Sequence, residues 1–403
     1  MRWRRWVAGG VALVAVAGMG STAWREMHRP AAGDAVGMPA ADAPRAAASG
    51  ATAGGGRPGG TSAAARAAAD RSAIAASAVA ELAEKASRGT PEIPPEGLDV
   101  CGIGHVSAEE LRLLAEQPAD APSPIKERGD DLQRRADAAL AQVAARLAAG
   151  AEHQQVAARL LMGDAEGAAA LAERSGDALA YQMALSACAM ASRTAPSCAR
   201  LSSPQWAMLD PSDARPWLRL ASEAQRRGDT PRAEAALAEA AARPKLSRGA
   251  NLLETQVAPV AAVVVPDATL RAHALVRIVG MDAALPGFDV SATLRLCDGE
   301  SLKLPTRLPL CRTLARQLLA ASGDLLEATL SQRLADRVGV PSEQQAYDAA
   351  TLEAATERFQ QKALNVVGLD CASMDRMNEF SSQRAARSEL ALALSLLPPK
   401  PGR

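Results

Sequence analysis

Residues 210–244, DPSDARPWLRLASEAQRRGDTPRAEAALAEAAARP, decide the fold class of this chain. Asp213 can cap a helix whose first turn contains Pro216, where a missing N–H is not needed. Gly228 suits the left-handed residue that ends a helix, and Asp229 can cap the next helix. Apolar or small residues recur three and four apart at Trp217, Leu220, Ala221 and Ala224, then at Ala233, Leu237 and Ala240. The stretch therefore predicts two antiparallel helices that face each other through small residues.

The same positions resemble a tetratricopeptide repeat, whose pattern is W-x2-L-G-x2-Y, then A-x3-F, then P. The counterparts lie within residues 211–244 and are Trp217, Leu220, Ala221, Ala224, Ala233, Leu237 and Pro244. The resemblance implies stacked helical hairpins with a concave surface that binds a protein or peptide. It also implies partner contacts from exposed positions on the first helix, which are Arg215, Leu218, Ser222, Gln225 and Arg226. An ordinary helical hairpin would give the same pattern and stays an alternative.

Composition favours an all-α fold, and the resemblance implies that its antiparallel helical hairpins stack as an irregular solenoid. Aromatic residues make up 2% of the 403 residues, so the core must be built from Ala, Leu and Val. This suits closely packed helices and disfavours a β-sandwich or a base-stacking surface. Lys and Arg total 45, as do Asp and Glu, so no basic excess indicates a nucleic-acid partner.

The Gly-Asp pair at 228–229 recurs at 163–164, 176–177 and 323–324. A glycine that ends one helix, followed by an aspartate that caps the next, predicts a helix-to-helix turn at each place. Periodicity alone leaves VAAVVV at 260–265 as strand or helix; its helical surroundings and the lack of a partner strand favour helix. Ser107 and Glu110 predict a capping box. Later helices are predicted at about 266–280, 305–321, 324–338, 342–366 and 372–396.

The first 25 residues predict a membrane anchor. Arg2, Arg4 and Arg5 precede an uncharged run over residues 6–24, about the length that a bilayer-spanning helix needs. Arginines ahead of the apolar run favour a cytoplasmic N-terminus. The chain is therefore predicted to cross the inner membrane of a Gram-negative bacterium once, with its C-terminal domain in the periplasm. Cleavage near Ala23 is the alternative, and it would release the chain into the periplasm.

The remaining boundaries follow from shifts in composition. A stretch rich in Ala, Gly and Pro predicts a disordered tether. An alanine-rich helix is predicted at 62–88, where it carries Ile74, Val79 and Leu82, and a proline-rich connector follows it. The anchor, the tether, this helix with its connector, the helical domain and a disordered tail are placed at 1–25, 26–61, 62–96, 97–397 and 398–403.

Six cysteines occur, and an exported chain meets an oxidising compartment. Six cysteines can pair in fifteen ways. Neighbour proximity favours Cys188–Cys198 and Cys297–Cys311, which leaves Cys101–Cys371 to tie the two ends of the domain. Six buried thiols in a cytosolic protein are the alternative.

Cys101-Gly-Ile-Gly-His105 places a thiol four residues from an imidazole. A thiolate becomes reactive beside a positive group or a helix N-terminus, so a thiol-dependent periplasmic enzyme is one alternative function. The four histidines are scattered, and neither H-E-x-x-H nor paired C-x2-C spacing occurs, so no metal site is predicted. Carboxylates such as Asp130, Asp131 and Glu254 are interpreted as solvated residues on helix surfaces.

These observations favour a non-enzymatic scaffold that is anchored in the membrane, faces the periplasm and binds a protein or peptide. No catalytic constellation, cofactor site or metal site is predicted. A structural component of an envelope assembly, which would form stable oligomers, is the other alternative.

Overall fold

The structure, a computed structural model, describes residues 95–398 except 117–122, 191–194, 286–288 and 367. The predicted anchor, the tether and the helix at 62–88 lie outside these residues. The described part contains seventeen α-helices, two short 3-10 helices and one two-stranded hairpin, which confirms the all-α prediction there. Among these described helices, none combines the length and the apolar composition that a bilayer crossing requires.

The helices and strands fall into two groups along the chain. Those before and including the repeat-like stretch are β1 Leu98–Val100, β2 Gly104–Val106, α1 Ala108–Glu116, α2 Pro124–Ala148, α3 Glu152–Leu161, α4 Ala165–Arg174, α5 Ala178–Met190, α6 Pro196–Arg200, α7 Ser203–Leu209, α8 Arg215–Arg226 and α9 Thr230–Ala241. Those after it are α10 Leu252–Val264, α11 Ala268–Ala284, α12 Ser291–Leu296, α13 Arg307–Ala321, α14 Leu325–Arg337, α15 Ala349–Asn365, α16 Cys371–Ala386 and α17 Glu389–Ser395. The 3-10 helices are Gly299–Lys303 and Ser342–Gln344.

The small hairpin was not foreseen, because its three-residue strands are too short to show a pattern. β1 and β2 pair antiparallel, with Val100 opposite Gly104. The turn between them needs glycine, since Gly102 and Gly104 have φ values of +84° and +94°. The Cys101 N–H donates to the Leu369 carbonyl at 2.7 Å, so the hairpin is held against the C-terminal part of the chain.

The four Gly-Asp pairs all lie between helices, as predicted. Two of the glycines, Gly163 and Gly228, take the left-handed conformation with φ of +73° and +76°. Each aspartate caps the helix that follows it. The side chains of Asp164, Asp177, Asp229 and Asp324 accept from the N–H groups of Gly167, Ala180, Arg232 and Glu327 at 2.7, 3.1, 3.1 and 2.7 Å.

Other helix ends agree with the sequence except in two places. The capping box is confirmed, since the Ser107 N–H donates to Glu110 Oε2 at 2.8 Å and the Glu110 N–H to Ser107 Oγ at 3.2 Å. The helix predicted at 342–366 is shorter and begins at α15, where Asp348 caps it. The helix predicted at 372–396 is two helices, because Ser388 caps α17 by accepting from the Ala391 N–H at 3.0 Å.

The helices enclose two hydrophobic cores. The first is formed mainly by α2 to α5, α7, α10 and α11, and its fully buried large side chains are Leu147, Leu161, Tyr181, Met183, Leu253, Leu275 and Ile278. The second is formed mainly by α8, α9, α12 to α15 and α17, around Leu237, Leu314, Leu318, Leu319 and Leu334. Helix α16 belongs to both. It packs against α10 and α11, while its Phe380 ring lies 5.4 Å from that of Phe359 in the second core.

The chain returns to its beginning instead of running as a simple stack. Helices α10 and α11 pack against α2, which precedes them by more than a hundred residues, and α16 packs on α10 and α11 in turn. In a regular solenoid each hairpin contacts only its neighbours. The α8–α9 hairpin itself packs against α7, α12 and α13.

Candidate functional site

The α8–α9 hairpin forms as the sequence predicts, with a more elaborate N-terminal cap. Asp213 Oδ1 accepts from the Arg215 N–H at 3.1 Å and from the Ser247 N–H at 3.0 Å, so one buried carboxylate fixes both ends of the hairpin. The two helices pack through small residues, and Ala221, Ala224, Ala233, Leu237 and Ala240 are all fully buried.

Trp217 occupies a different place from the one its spacing suggests. Its ring is only half-buried and packs against the edge of the second core. The guanidinium carbon of Arg243, just beyond α9, lies 5.2 Å from the ring centroid, which is cation–π geometry. The ring therefore covers the end of the hairpin and does not fill the space between the two helices.

Three of the five predicted partner contacts are not accessible. Arg215, Leu218 and Ser222 are buried, Gln225 is half-buried, and only Arg226 is exposed. The prediction that these positions form an open surface is therefore wrong for the first three. The reason is that the chain itself covers the face of α8 on which they lie.

Helix α12 provides part of this cover. The Ser222 hydroxyl lies 3.3 Å from the Asp289 carbonyl and 3.3 Å from the Ala292 N–H, so it bridges α8 to the start of α12. The Asp289 carboxylate also binds Arg226 Nη1 at 2.7 Å. Burial opposes ionisation of Asp289, but hydrogen bonds from Arg226, Ser222 and Ser291 outweigh it and lower its pKa.

Helix α14 provides the rest through a buried ion pair. Arg215 Nη2 lies 2.9 Å from Glu327 Oε1, and the two side chains are 4% and 0% exposed. Arg215 Nε also donates to the Ser247 carbonyl at 2.7 Å, and Glu327 Oε2 accepts from the Gly323 N–H at 2.8 Å. Burial raises the pKa of Glu327, although Arg215 and the Gly323 N–H act in the opposite direction. A pair so enclosed fixes the position of α14 on α8.

A second buried polar cluster joins the two cores at the start of α10. Asn251, the residue before the helix, is left-handed with φ of +56° and does not cap it. The cap comes instead from α11, where Asp282 accepts from the Leu253 N–H at 2.9 Å and the Glu254 N–H at 2.5 Å. Burial raises the pKa of Asp282 to about 7, because desolvation outweighs these two hydrogen bonds.

Arg384 on α16 completes this cluster. Its Nη1 lies 3.4 Å from Glu254 Oε2, and its Nη2 donates to Asn251 Oδ1 at 2.7 Å and to Glu389 Oε2 at 3.4 Å. Glu254 is fully buried, and burial raises its pKa. The cluster thus links α10, α16 and α17, and its charged groups are directed at one another.

Glu254 is the residue that the sequence analysis misplaced. Asp130 and Asp131 are exposed, as interpreted, but Glu254 faces the protein interior. The signal was present in the run LLETQV, where an acid stands between leucines and a valine on a helix with no other charge. What the sequence could not show was its partner, since Arg384 is 130 residues away.

The six cysteines form three disulfide bonds in the structure. They join Cys101 to Cys371, Cys188 to Cys198 and Cys297 to Cys311, with Cα–Cα distances of 4.7, 5.3 and 5.7 Å. The last two are the pairs that proximity along the chain favours, and the first is the pair that then remains. The first bond fastens the N-terminal hairpin to the start of α16, and the other two close short loops between neighbouring helices.

The residues considered for thiol catalysis are engaged elsewhere. Cys101 is bonded to Cys371 and is buried, so in this state it has no thiol. His105 is exposed, and its Nδ1 lies 2.9 Å from Asp99 Oδ1. This geometry gives no support to the enzyme alternative.

Neither a metal site among the described residues nor a similar protein narrows the functional assignment. Across residues 95–398, with the gaps given above, no group of three or more His, Cys, Asp or Glu side chains is arranged to hold a metal ion. A second molecule can reach the predicted partner site at the half-buried Gln225, the exposed Arg226 and the turn that follows them. Comparisons with family models, curated proteins and solved structures found no match to this chain.

Proposed function

We propose that this chain is a non-catalytic, periplasm-facing module that is held at the inner membrane by residues 6–24 and binds a protein or peptide. The observation that carries the proposal is the set of three disulfide bonds, which include every cysteine of the chain. Disulfides persist in oxidising compartments and are rare in the cytosol. The arginine-flanked apolar run at the N-terminus is consistent with export.

The binding role is supported by the α8–α9 hairpin, which we interpret as one tetratricopeptide-like repeat in an irregular helical stack. The face of α8 that carries Arg215 and Ser222 is covered by α12 and α14, so a partner would contact the turn end of the hairpin. We call Gln225, Arg226, Arg227 and Arg232 the turn surface. Its three arginines are exposed. The carboxylate of the neighbouring Asp229 is engaged in capping α9. The partner would therefore present carboxylates to this surface.

Capture experiments with charge-reversed variants test this proposal. The full chain in mild detergent would capture partners from a membrane extract, and mass spectrometry would identify them. The variant Arg227→Glu/Arg232→Glu keeps the Arg226–Asp289 ion pair and should bind the captured partner at least tenfold more weakly. Arg146→Glu/Arg358→Glu changes the net charge equally at exposed helix positions and should bind normally.

Two results would contradict the proposal. Equal binding by both double variants would exclude the turn surface as the contact site. Stable oligomers of the chain, without a captured partner, would favour the structural role in an envelope assembly instead.

A further inference from the structure

Helix α10 has an apolar surface that no described residue covers. Glu254, in its first turn, is the only charged residue of the helix. Leu253, Val257 and Ala261 face the first core, but Pro259, Ala262, Val263 and Pro266 on the other side are exposed, with Val263 at 81%. We call these four residues the outer α10 face. A helix that is apolar on all sides is normally buried, so this face is suited to packing against something else.

The described chain begins close to one end of this face. Cys101 Sγ lies 3.1 Å from Thr269 Oγ1, in the first turn of α11, and α11 follows α10 after a turn of three residues. A Cβ on Gly102 would lie 3.1 Å from Thr269 Cγ2, so the hairpin rests on this turn. Pro95 is six residues from Cys101 and therefore lies at most about 20 Å from it, given about 3.3 Å for each extended residue.

The segment at 62–88 has the chemistry and the length to cover the face. Its predicted helix places Ile74, Ala78, Val79 and Leu82 on one side, and the cations Arg71 and Lys85 lie on the same side just before and just after them. At about 1.5 Å per residue, the stripe from Ile74 to Leu82 is about 12 Å long, and residues 259–266 extend about 11 Å. The connector at 89–94 can span about 20 Å.

We propose that the alanine-rich segment 62–88 packs as a helix on the outer α10 face and so extends the first core. Alanine allows the close helix approach that the described hairpins already use. The face is one side of a short helix, well below the roughly 800 Å² per partner of a specific interface between two molecules. A segment tethered a few residues away acts at an effective concentration of about millimolar, so a small face is enough for it but not for a second copy.

Hydrogen exchange of the full chain in mild detergent tests the proposal. Backbone amides at 74–86 should exchange at least tenfold more slowly in the wild type than in Val263→Asp, because aspartate on the outer α10 face disfavours the apolar contact. Leu82→Asp, on the segment itself, should give the same acceleration at 74–86. Met208→Asp is the matched control, since Met208 is 74% exposed on α7 and should leave exchange at 74–86 unchanged.

Three results would overturn the proposal. The first is equally fast exchange at 74–86 in the wild type and Val263→Asp. The second is a wild-type dimer, by light scattering, that becomes a monomer in Val263→Asp without a change at 74–86, which would assign the face to a second copy. The third is exchange at 74–86 that slows only in lipid nanodiscs and is insensitive to Val263→Asp, which would assign the segment to the membrane surface.

Discussion

The substitution Arg215→Leu should destabilise the domain strongly, because it leaves the Glu327 carboxylate buried without its cation. Both side chains are almost completely enclosed, and Nη2 and Oε1 are 2.9 Å apart. Removing one partner of such a pair costs about 3–5 kcal/mol, whereas an exposed pair contributes about 0–1 kcal/mol. We therefore expect the free energy of unfolding to fall by about 3–5 kcal/mol.

The double variant Arg215→Leu/Glu327→Leu should be more stable than the sum of the single variants predicts. Neither charge is then left buried, and leucine fills part of each volume. The Ser247 carbonyl and the Gly323 N–H lose their partners in the double variant. Buried unpaired groups cost about 1–3 kcal/mol each, so some loss should remain. The difference from additivity measures the coupling between the two side chains.

Urea unfolding of the full chain with its disulfides intact, followed by far-ultraviolet circular dichroism, measures these free energies. Arg146→Leu is the control, because Arg146 is an exposed residue on α2. If Arg215→Leu lowers the free energy of unfolding by less than about 1 kcal/mol, the Arg215–Glu327 pair contributes no more than an exposed ion pair does, which would refute the reasoning. Strict additivity of the two single changes would show that the side chains do not interact.

Three further predictions concern pH, packing and redox state. Burial raises the pKa of Asp282 from 3.8 to about 7. The stability that its protonated form contributes is therefore complete below the pKa of 3.8 and is lost as the pH rises through the pKa of about 7. Melting temperatures should fall between these two pH values, and they should fall less in Asp282→Asn. Trp217→Ala should cost about 2–4 kcal/mol, and a loss below about 1 kcal/mol in urea unfolding would mean that the ring contributes little packing. Denaturing alkylation of protein from intact periplasm should modify none of the six cysteines, and a peptide map should link Cys188 to Cys198. Reduction of the disulfides should lower the melting temperature. Modification of all six cysteines would contradict both the disulfides and the export proposal.

Turn chemistry and short-range periodicity predicted much of the local structure. The aspartate of each of the four Gly-Asp pairs caps the next helix as predicted, and Gly163 and Gly228 are left-handed as predicted, because both features depend on neighbouring residues only. The α10 helix was also predicted correctly, from its helical surroundings and the lack of a partner strand. The break at Ser388 was missed, because the apolar pattern of residues 372–396 continues across it while the hydroxyl caps a new helix.

What covers each helix could not be predicted, because it depends on contacts between distant residues. Periodicity shows that Ala221 and Ala224 face a neighbour, but Ser222 and Arg215 are polar and look exposed in the sequence. They are buried because Ala292 and Glu327 supply their partners from about 70 and 112 residues away. Because these polar residues look exposed in the sequence, the sequence does not reveal that the chain itself covers this part of the candidate site.

The nature of this cover argues for the turn surface as the place where a partner binds. A ligand that binds the buried face of α8 would have to displace Glu327 from Arg215, which leaves a buried charge unpaired at a cost of about 3–5 kcal/mol. That amount would weaken binding by a factor of about a hundred to several thousand, since about 1.4 kcal/mol corresponds to a factor of ten. Arg227 and Arg232 are exposed and can be contacted without that cost. If a partner did bind the buried face of α8, Arg215→Leu/Glu327→Leu would remove the barrier and tighten binding, whereas binding at the turn surface should be unaffected by this change.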